Sequence, residues 1–135
     1  MGKNILIVED EQDVRETLMS RLFKAGYAVT AVSCGQEATA AFLGAYYERP
    51  FDCIILDIEL PDISGLDVLK IIRQEEEIRG QDYEDGVKII IQTGLREGWM
   101  EAFNRGCDDY ILKPYSFDEL MKKIKEKTGE TQAGN

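Results

Sequence analysis

The sequence predicts an open, doubly wound α/β domain built on a parallel sheet. Three observations carry this reading. Five short apolar runs, Ile5–Val8, Ala28–Val32, Cys53–Leu56, Val87–Ile91 and Tyr110–Leu112, are dominated by aliphatic residues, as expected of strands covered on both faces. An amphipathic segment follows each run, so the order is β-α five times over. That order calls for parallel strands, right-handed crossovers and helices on both faces. The chain has 135 residues, enough for one domain and one core but well short of the roughly 250 that a closed eight-fold barrel needs.

The helical stripes follow in order. Val14, Leu18 and Leu22 recur at i, i+4, i+8 and Gly26 supplies a C-terminal stop. Ala38, Ala41, Phe42 and Ala45 form a second stripe, and Leu66, Val68, Leu69 and Ile72 a third. The fourth is expected to start after Gly94, to contain Gly98, and to present Trp99, Ala102 and Phe103 before Gly106 ends it. Trp99 reads equally as core or as part of an output surface. The fifth uses Phe117, Leu120, Met121 and Ile124, with Ser116 and Glu119 spaced as a capping box. Between the third helix and fourth strand lies "EEEIRGQDYEDG", Glu75–Gly86. Part of it is expected to extend the helix and the rest to be an exposed acidic loop without assignable chemistry. The domain is expected over residues 1–128, with 129–135 as a polar, frayed tail.

Composition removes several function classes. The formal net charge is −10, whereas a nucleic-acid binder shows a basic patch. The one basic cluster, "KKIKEK" at Lys122–Lys127, reads as the solvated face of the last helix, so no direct DNA or RNA binding is expected. There is no histidine, which excludes His-based acid–base catalysis, His-metal ligation and a phosphohistidine carrier role. Cys34, Cys53 and Cys107 are odd in number and widely spaced among apolar or small residues; they read as small buried hydrophobes rather than a disulfide or zinc set. No apolar run approaches the ~18 residues of a membrane span. The start turns acidic too early for a secretory signal, and Leu6 breaks the myristoylation pattern. A cytoplasmic location without membrane attachment is the expectation.

In an open parallel α/β sheet, ligands bind at the carboxyl ends of the strands. Those ends are Glu9-Asp10, Ser33, Asp57, Thr93-Gly94 and Lys113-Pro114. Each has a bland reading by itself. Asp10 could cap the first helix, a role compatible with a site. Asp57 and Thr93-Gly94 could be turn residues, Lys113 could be a surface lysine, and Ser33 carries no clear chemistry. The topology makes the coincidence informative. Three carboxylates at one edge repel and raise at least one pKa unless a cation relieves them. Hard carboxylate oxygens suit Mg²⁺, with Mn²⁺ as a substitute, alongside phosphate oxygens. Lys113 offers a compact positive charge for another phosphoryl oxygen, and Thr93 a hydroxyl. A central Asp with a metal and a lysine makes an acyl-phosphate site.

The stretches "ILIVEDE", "IILDIELPDISGLDVL", "IIQTG" and "GCDDYILKPYSFDEL", with their spacing, resemble the receiver domains of two-component response regulators over about residues 3–127. The resemblance implies a flavodoxin-like, five-stranded sheet of order 2-1-3-4-5 with five helices. It implies Asp57 as phosphoacceptor, Asp10 as a direct metal ligand, Glu9 as one acting mainly through water, and the Glu59 backbone carbonyl as the third protein ligand beside Asp57. Thr93 is then the switch hydroxyl, Tyr110 the switch aromatic, and Lys113 the phosphate-contacting lysine before a cis Pro114. The implied partners are a sensor histidine kinase or phosphotransfer domain upstream and an output protein or domain downstream. The face of helix four, strand five and helix five would carry the signal, in a monomer or a phosphorylation-dependent dimer. The role is that of a regulatory phosphoacceptor rather than an enzyme. Glu59 and Leu95 should border the approach of water to the acyl phosphate and so tune its lifetime. Cys107 stands where a small residue such as Ala is usual, the "LGAYYERPF" region runs slightly long, and so does the acidic stretch.

Two other classes compete. A haloacid dehalogenase-type phosphatase also places an Asp nucleophile after a strand with an acid two residues on, as in Asp57-Ile58-Glu59. Its second acid is normally Asp with a Thr at fixed spacing, whereas Leu60 and Pro61 follow here. A pseudo-receiver would use the same fold for phosphorylation-independent binding, and the intact set of Glu9, Asp10, Asp57, Thr93 and Lys113 speaks against it. The kinase, the output and the presence of further domains are not fixed by these residues.

Overall fold

The computed structural model describes residues 2–130. Five strands, β1 (Asn4–Val8), β2 (Ala28–Val32), β3 (Cys53–Asp57), β4 (Lys88–Thr93) and β5 (Asp109–Leu112), form one parallel sheet in the order β2-β1-β3-β4-β5. Five helices connect or follow them: α1 (Gln12–Lys24), α2 (Gly35–Ala45), α3 (Gly65–Ile78), α4 (Trp99–Asn104) and α5 (Phe117–Thr128). This is the flavodoxin-like arrangement the resemblance implies.

The strands alternate between two cores, as a period of two demands. Leu6, Val8, Ile54, Leu56, Ile89 and Ile91 face Ala38 and Phe42 of α2, Val68, Leu69 and Ile72 of α3, and Ala102 of α4. Ile5, Ile7, Cys53, Ile55, Ile90 and Ile111 face Leu18 and Leu22 of α1 and Leu120 and Ile124 of α5. The register then decides what sits at the carboxyl edge. Val8 pairs with Leu56, Asp57 with Gln92, and Thr93 with Leu112. Glu9, Asp57, Thr93 and Lys113 therefore leave the sheet at neighbouring levels. Backbone bonds carry the pairing one residue further, from Glu9 N to Val32 O at 3.1 Å and from Lys113 N to Thr93 O at 2.8 Å.

Several helix ends differ from the sequence expectation. Asp10 does not cap α1: Glu11 holds the N-cap position and makes no side-chain capping bond. Instead Arg15, one turn into the helix, donates to the carbonyls of Glu9 and Asp10 at 2.9 and 3.2 Å. The cap of α2 comes from elsewhere in the chain. Asp62, in the β3–α3 loop, accepts from Gly35 N and Gln36 N, both at 2.8 Å, and these bonds hold its carboxyl down at about 2. Helix α4 is only six residues long, and Gly98, at φ 94°, is its N-cap rather than an interior residue. A helix that short turns only one side chain, Ala102, fully inward, so Trp99 is 50% exposed and is surface rather than core. Ser116 caps α5, accepting from Glu119 N at 3.1 Å.

Of the three cysteines, Cys53 and Cys107 are buried, but Cys34 is only partly so, at the start of α2. Burial pushes the Cys107 thiol up to about 12, so it stays a protonated hydrophobe. In the last helix, Lys122 is exposed and Lys123 pairs with Asp109 at 3.2 Å. Gly129 closes α5 at φ 76°. The Glu130 carboxylate accepts from Tyr27 and Thr128 at 3.1 and 2.8 Å. The remainder of the expected tail, 131–135, lies outside the described residues. Among the described residues no helix is long and apolar enough to cross a membrane.

The acidic stretch holds a structural surprise. Glu75–Ile78 do extend α3 and Tyr83–Asp85 form a 3₁₀ turn, but Glu76 is buried, at 3% exposure. One of its carboxylate oxygens accepts from Arg73 and the other from Val87 N, each at 2.7 Å. Arg73 also donates to Gly106 O and to Asp108, both at 2.9 Å, and Asp108 accepts from Ile89 N at 2.8 Å. One ionic network thus ties α3 to the entries of β4 and β5. Removing one partner of a buried pair leaves an uncompensated charge. Glu76→Ala is therefore expected to cost about 3–5 kcal/mol in urea unfolding, while Glu48→Ala on the exposed surface stays within about 0.5; equal midpoints for the two variants would contradict this role.

Candidate functional site

At the carboxyl edge of the sheet, Glu9 and Asp57 are 0% and 4% exposed and Asp10 is open to solvent. One carboxylate oxygen from each of the three lies within 4.8 Å of the others. Lys113 reaches into this cluster from the end of β5. Its Nζ is 2.6 Å from Asp57 Oδ2 and 2.7 Å from Glu9 Oε1. The Lys113–Pro114 peptide is cis. The electrostatics follow from the geometry. Burial raises the Glu9 pKa, and the hydrogen bond and charge of Lys113 only partly offset it. For Lys113, burial works against the charge, but the bonds to Asp57 and Glu9 outweigh it and hold the ammonium above its usual range.

The backbone around Asp57 completes the cradle. Glu59 N donates to Asp57 Oδ1 at 3.0 Å, bringing the Glu59 main chain against the acceptor while its side chain stays exposed. The loop then folds back, with Gly65 N on Ile58 O at 2.7 Å. A Cβ at Gly65 would come within 2.0 Å of the Asp57 carbonyl oxygen, so only glycine allows this close return. Three hard oxygens, one on the solvent side and two on a rigid sheet edge, fit a small divalent cation with open positions for water and phosphate.

The remaining expected residues surround the cluster. Thr93 is buried, and its hydroxyl accepts from Leu95 N at 3.2 Å. The Tyr110 hydroxyl lies 2.8 and 3.0 Å from the carbonyls of Leu95 and Glu97, pinning the β4–α4 loop. Leu95 itself is exposed, as are Trp99, Met100, Phe103 and Leu112. Sequence reasoning passed over Gln92 and Tyr115. Gln92 is fully buried and donates to Glu9 Oε1 at 3.2 Å, while the Tyr115 hydroxyl bonds the Gln92 oxygen. The available signal was a polar residue closing an aliphatic run, "KIIIQT"; buried glutamine is uncommon and has to be satisfied.

A family model, the response regulator receiver domain, matches residues 5–125. The chain belongs to that family. The receiver domain is 30% identical over 133 residues to the transcriptional regulatory protein SrrA of Staphylococcus aureus, covering 98% of this chain and 51% of that protein. It thus spans about half the length of the curated relatives it matches. Among solved structures, the response regulator TrrA of Thermotoga maritima, in complex with Mg²⁺-BeF, is 34% identical with a TM-score of 0.74, covering 93% of this chain and 98% of that one. The receiver domain of Ssk1 from Saccharomyces cerevisiae, crystallised with the histidine phosphotransfer protein Ypd1, gives 31% and 0.81 over 95% and 90% of the two chains. A CheY-like receiver domain protein from Methanospirillum hungatei gives 30% and 0.78 over 96% and 95%.

The raised Glu9 pKa makes a pH prediction with a definite sign. Protons compete for the site earlier than at an ordinary glutamate, so Mg²⁺ affinity should begin to fall, on acidification, above the ordinary glutamate range. In the cation-free receiver domain the effect on stability runs the other way. The contribution of Glu9 is full below the unfolded glutamate pKa and is lost as pH rises through the higher folded value. Mg²⁺ titrations across this range, paired with urea unfolding in chelator, read both. Affinity that stays flat down to the ordinary glutamate range would contradict the burial argument.

Proposed function

We propose that this receiver domain takes a phosphoryl group onto Asp57 from the phosphohistidine of a sensor histidine kinase or phosphotransfer domain, in a Mg²⁺-dependent reaction. The observation that carries the reading is the Lys113 ammonium, held 2.6 Å from Asp57 beside buried Glu9 and exposed Asp10. A merely structural ion pair needs neither Asp10 nor Glu9 beside it. The Mg²⁺–BeF complex of the Thermotoga relative and the phosphotransfer-protein complex of the yeast relative support the same cation and the same class of donor for this chain.

An Asp57 carboxylate oxygen forms the new O–P bond as the donor's N–P bond breaks and its electron pair returns to the imidazole. Glu59 N and Lys113 hold the carboxylate in a fixed orientation, so little reorganisation is needed at attack. Lys113 then serves a phosphoryl oxygen. A bound Mg²⁺, held by Asp10, Asp57, Glu9 and the Glu59 carbonyl, would neutralise charge on the phosphoryl oxygens. The chain acts as a regulatory phosphoacceptor, spent and reset once per signal, rather than as a turnover enzyme.

The output follows from the loop that Thr93 and Tyr110 hold. A phosphoryl group adds about 1.5 to 2 negative charges and new acceptor oxygens. It draws the Thr93 hydroxyl away from Leu95 N, and Tyr110 leaves the Leu95 and Glu97 carbonyls. The exposed apolar side chains of α4 and β5 are then re-presented to a downstream protein or domain. Signal lifetime is set where water meets the acyl phosphate. Leu95 is exposed and apolar and can only occupy that space, and the Glu59 charge disfavours a nearby phosphate.

Intact mass after incubation with acetyl phosphate or a phosphohistidine donor tests this directly. Wild type gains one phosphoryl group in Mg²⁺, whereas Asp57→Asn, or wild type in chelator, gains none; full modification of either overturns the assignment. Followed after donor removal, the same signal should decay up to about tenfold faster in Leu95→Asn, a positioning effect within the usual range. An equal or slower decay would remove Leu95 from that role.

A further inference from the structure

Among the described residues at this edge, buried Gln92 and half-buried Tyr115 form a polar pair that the proposed reaction leaves unused. Glu9 Oε1 has two side-chain donors, Lys113 at 2.7 Å and Gln92 at 3.2 Å, and Oε2 accepts from Glu11 N at 3.1 Å. Gln92 is fully buried beside Asp57 in the sheet register. Its amide can face Glu9 in only one sense, because the reverse would set an oxygen against a carboxylate. Tyr115 fixes that sense by bonding the Gln92 oxygen. Burial pushes the Tyr115 hydroxyl up to about 12, so at neutral pH it keeps the proton it donates. The far end of this chain opens on a groove of about 410 Å³ between α1 and the β5–α5 segment, lined by Val14, Leu18, Arg21, Pro114, Tyr115 and Phe117 among others.

We propose that Gln92, oriented by Tyr115, is a positioning residue that holds the Glu9 carboxylate when Lys113 moves from Glu9 to the phosphoryl group on Asp57. The inference rests on the phosphoacceptor reading above. Before phosphorylation Glu9 Oε1 shares two donors, so loss of Gln92 leaves Lys113 in place. Once the phosphoryl group claims Lys113, Gln92 is the side-chain donor that remains. A buried carboxylate oxygen left short of donors is costly. Deleting Gln92 therefore penalises the phosphorylated state more than the resting one, and the two states can be compared within one variant.

The test uses Mg²⁺ alone and then beryllofluoride with saturating Mg²⁺, each titrated by amide NMR. The proteins are wild type, Gln92→Leu, Tyr115→Phe and the double variant, with near-isosteric Gln92→Met replacing Gln92→Leu if the latter folds poorly. Gln92→Leu should leave the Mg²⁺ affinity within about twofold and weaken beryllofluoride about fivefold, the scale of one hydrogen bond. Tyr115→Phe should give a smaller loss of the same kind, and the double variant should be no weaker than Gln92→Leu, because the two residues act in series. Equal losses for both ligands would mark Gln92 as structural only. No loss for beryllofluoride, or additive losses in the double variant, would also overturn the proposal. Wild type that fails to bind beryllofluoride would overturn the phosphoacceptor reading, and this inference with it.

Discussion

One ammonium group organises the working edge of this domain. Lys113 Nζ joins the ends of β1, β3 and β5 by holding Glu9 and Asp57 at once. Without a cation there, two buried carboxylates and a third in solvent would stand within 4.8 Å of one another with no positive charge to relieve their repulsion. Lys113 also offsets only in part the burial that raises the Glu9 pKa. The carboxylate oxygens suit a divalent cation, and in the proposed reaction Lys113 serves a phosphoryl oxygen.

The rest of the fold keeps that edge in place. Parallel pairing of β1, β3 and β4 sets Glu9, Asp57 and Gln92 at adjacent levels, and two aliphatic cores lock the register, since a one-residue slip would send every strand side chain to the opposite face. The β3–α3 loop is fastened at both ends, by the glycine return at Gly65 and by the Asp62 cap on α2. At the opposite end of the strands, the Glu76–Arg73–Asp108 network anchors α3 against β4 and β5. The β4–α4 segment contrasts with these. It ends in a six-residue helix behind a left-handed glycine and is held by Tyr110 and Thr93. Few buried side chains fasten it, which fits the displacement proposed for it.

The sheet, its order of elements and the residues at its carboxyl edge were legible because periodicity and strand-end chemistry are local signals. Asp57 follows an aliphatic run and Lys113 precedes a proline, and topology alone brings such ends together. What escaped depends on contacts distant in sequence. Asp62 drew no reading as a cap because the helix it caps begins 27 positions earlier. Glu76 lay in an acidic stretch without assignable chemistry because its partners, Val87 N and Arg73, are visible only once α3 lies on β4. Asp10 looked like a helix cap because its type and place allow it, and only the geometry shows the cap position falling to Glu11. Gln92 was quoted within a motif yet given no role, since its function is defined by Glu9, 83 residues away.

In the proposed reaction Lys113 bridges two carboxylates at rest and transfers to the phosphoryl group. A crystal structure of the domain with Mg²⁺ and beryllofluoride is the decisive measurement. It should show beryllofluoride on Asp57, Lys113 Nζ bonded to one of its fluorines, and Glu9 Oε1 released from Lys113 with Gln92 still in place. Beryllofluoride on Asp57 with Lys113 Nζ still bridging Glu9 and the Asp57 carboxylate would contradict that transfer.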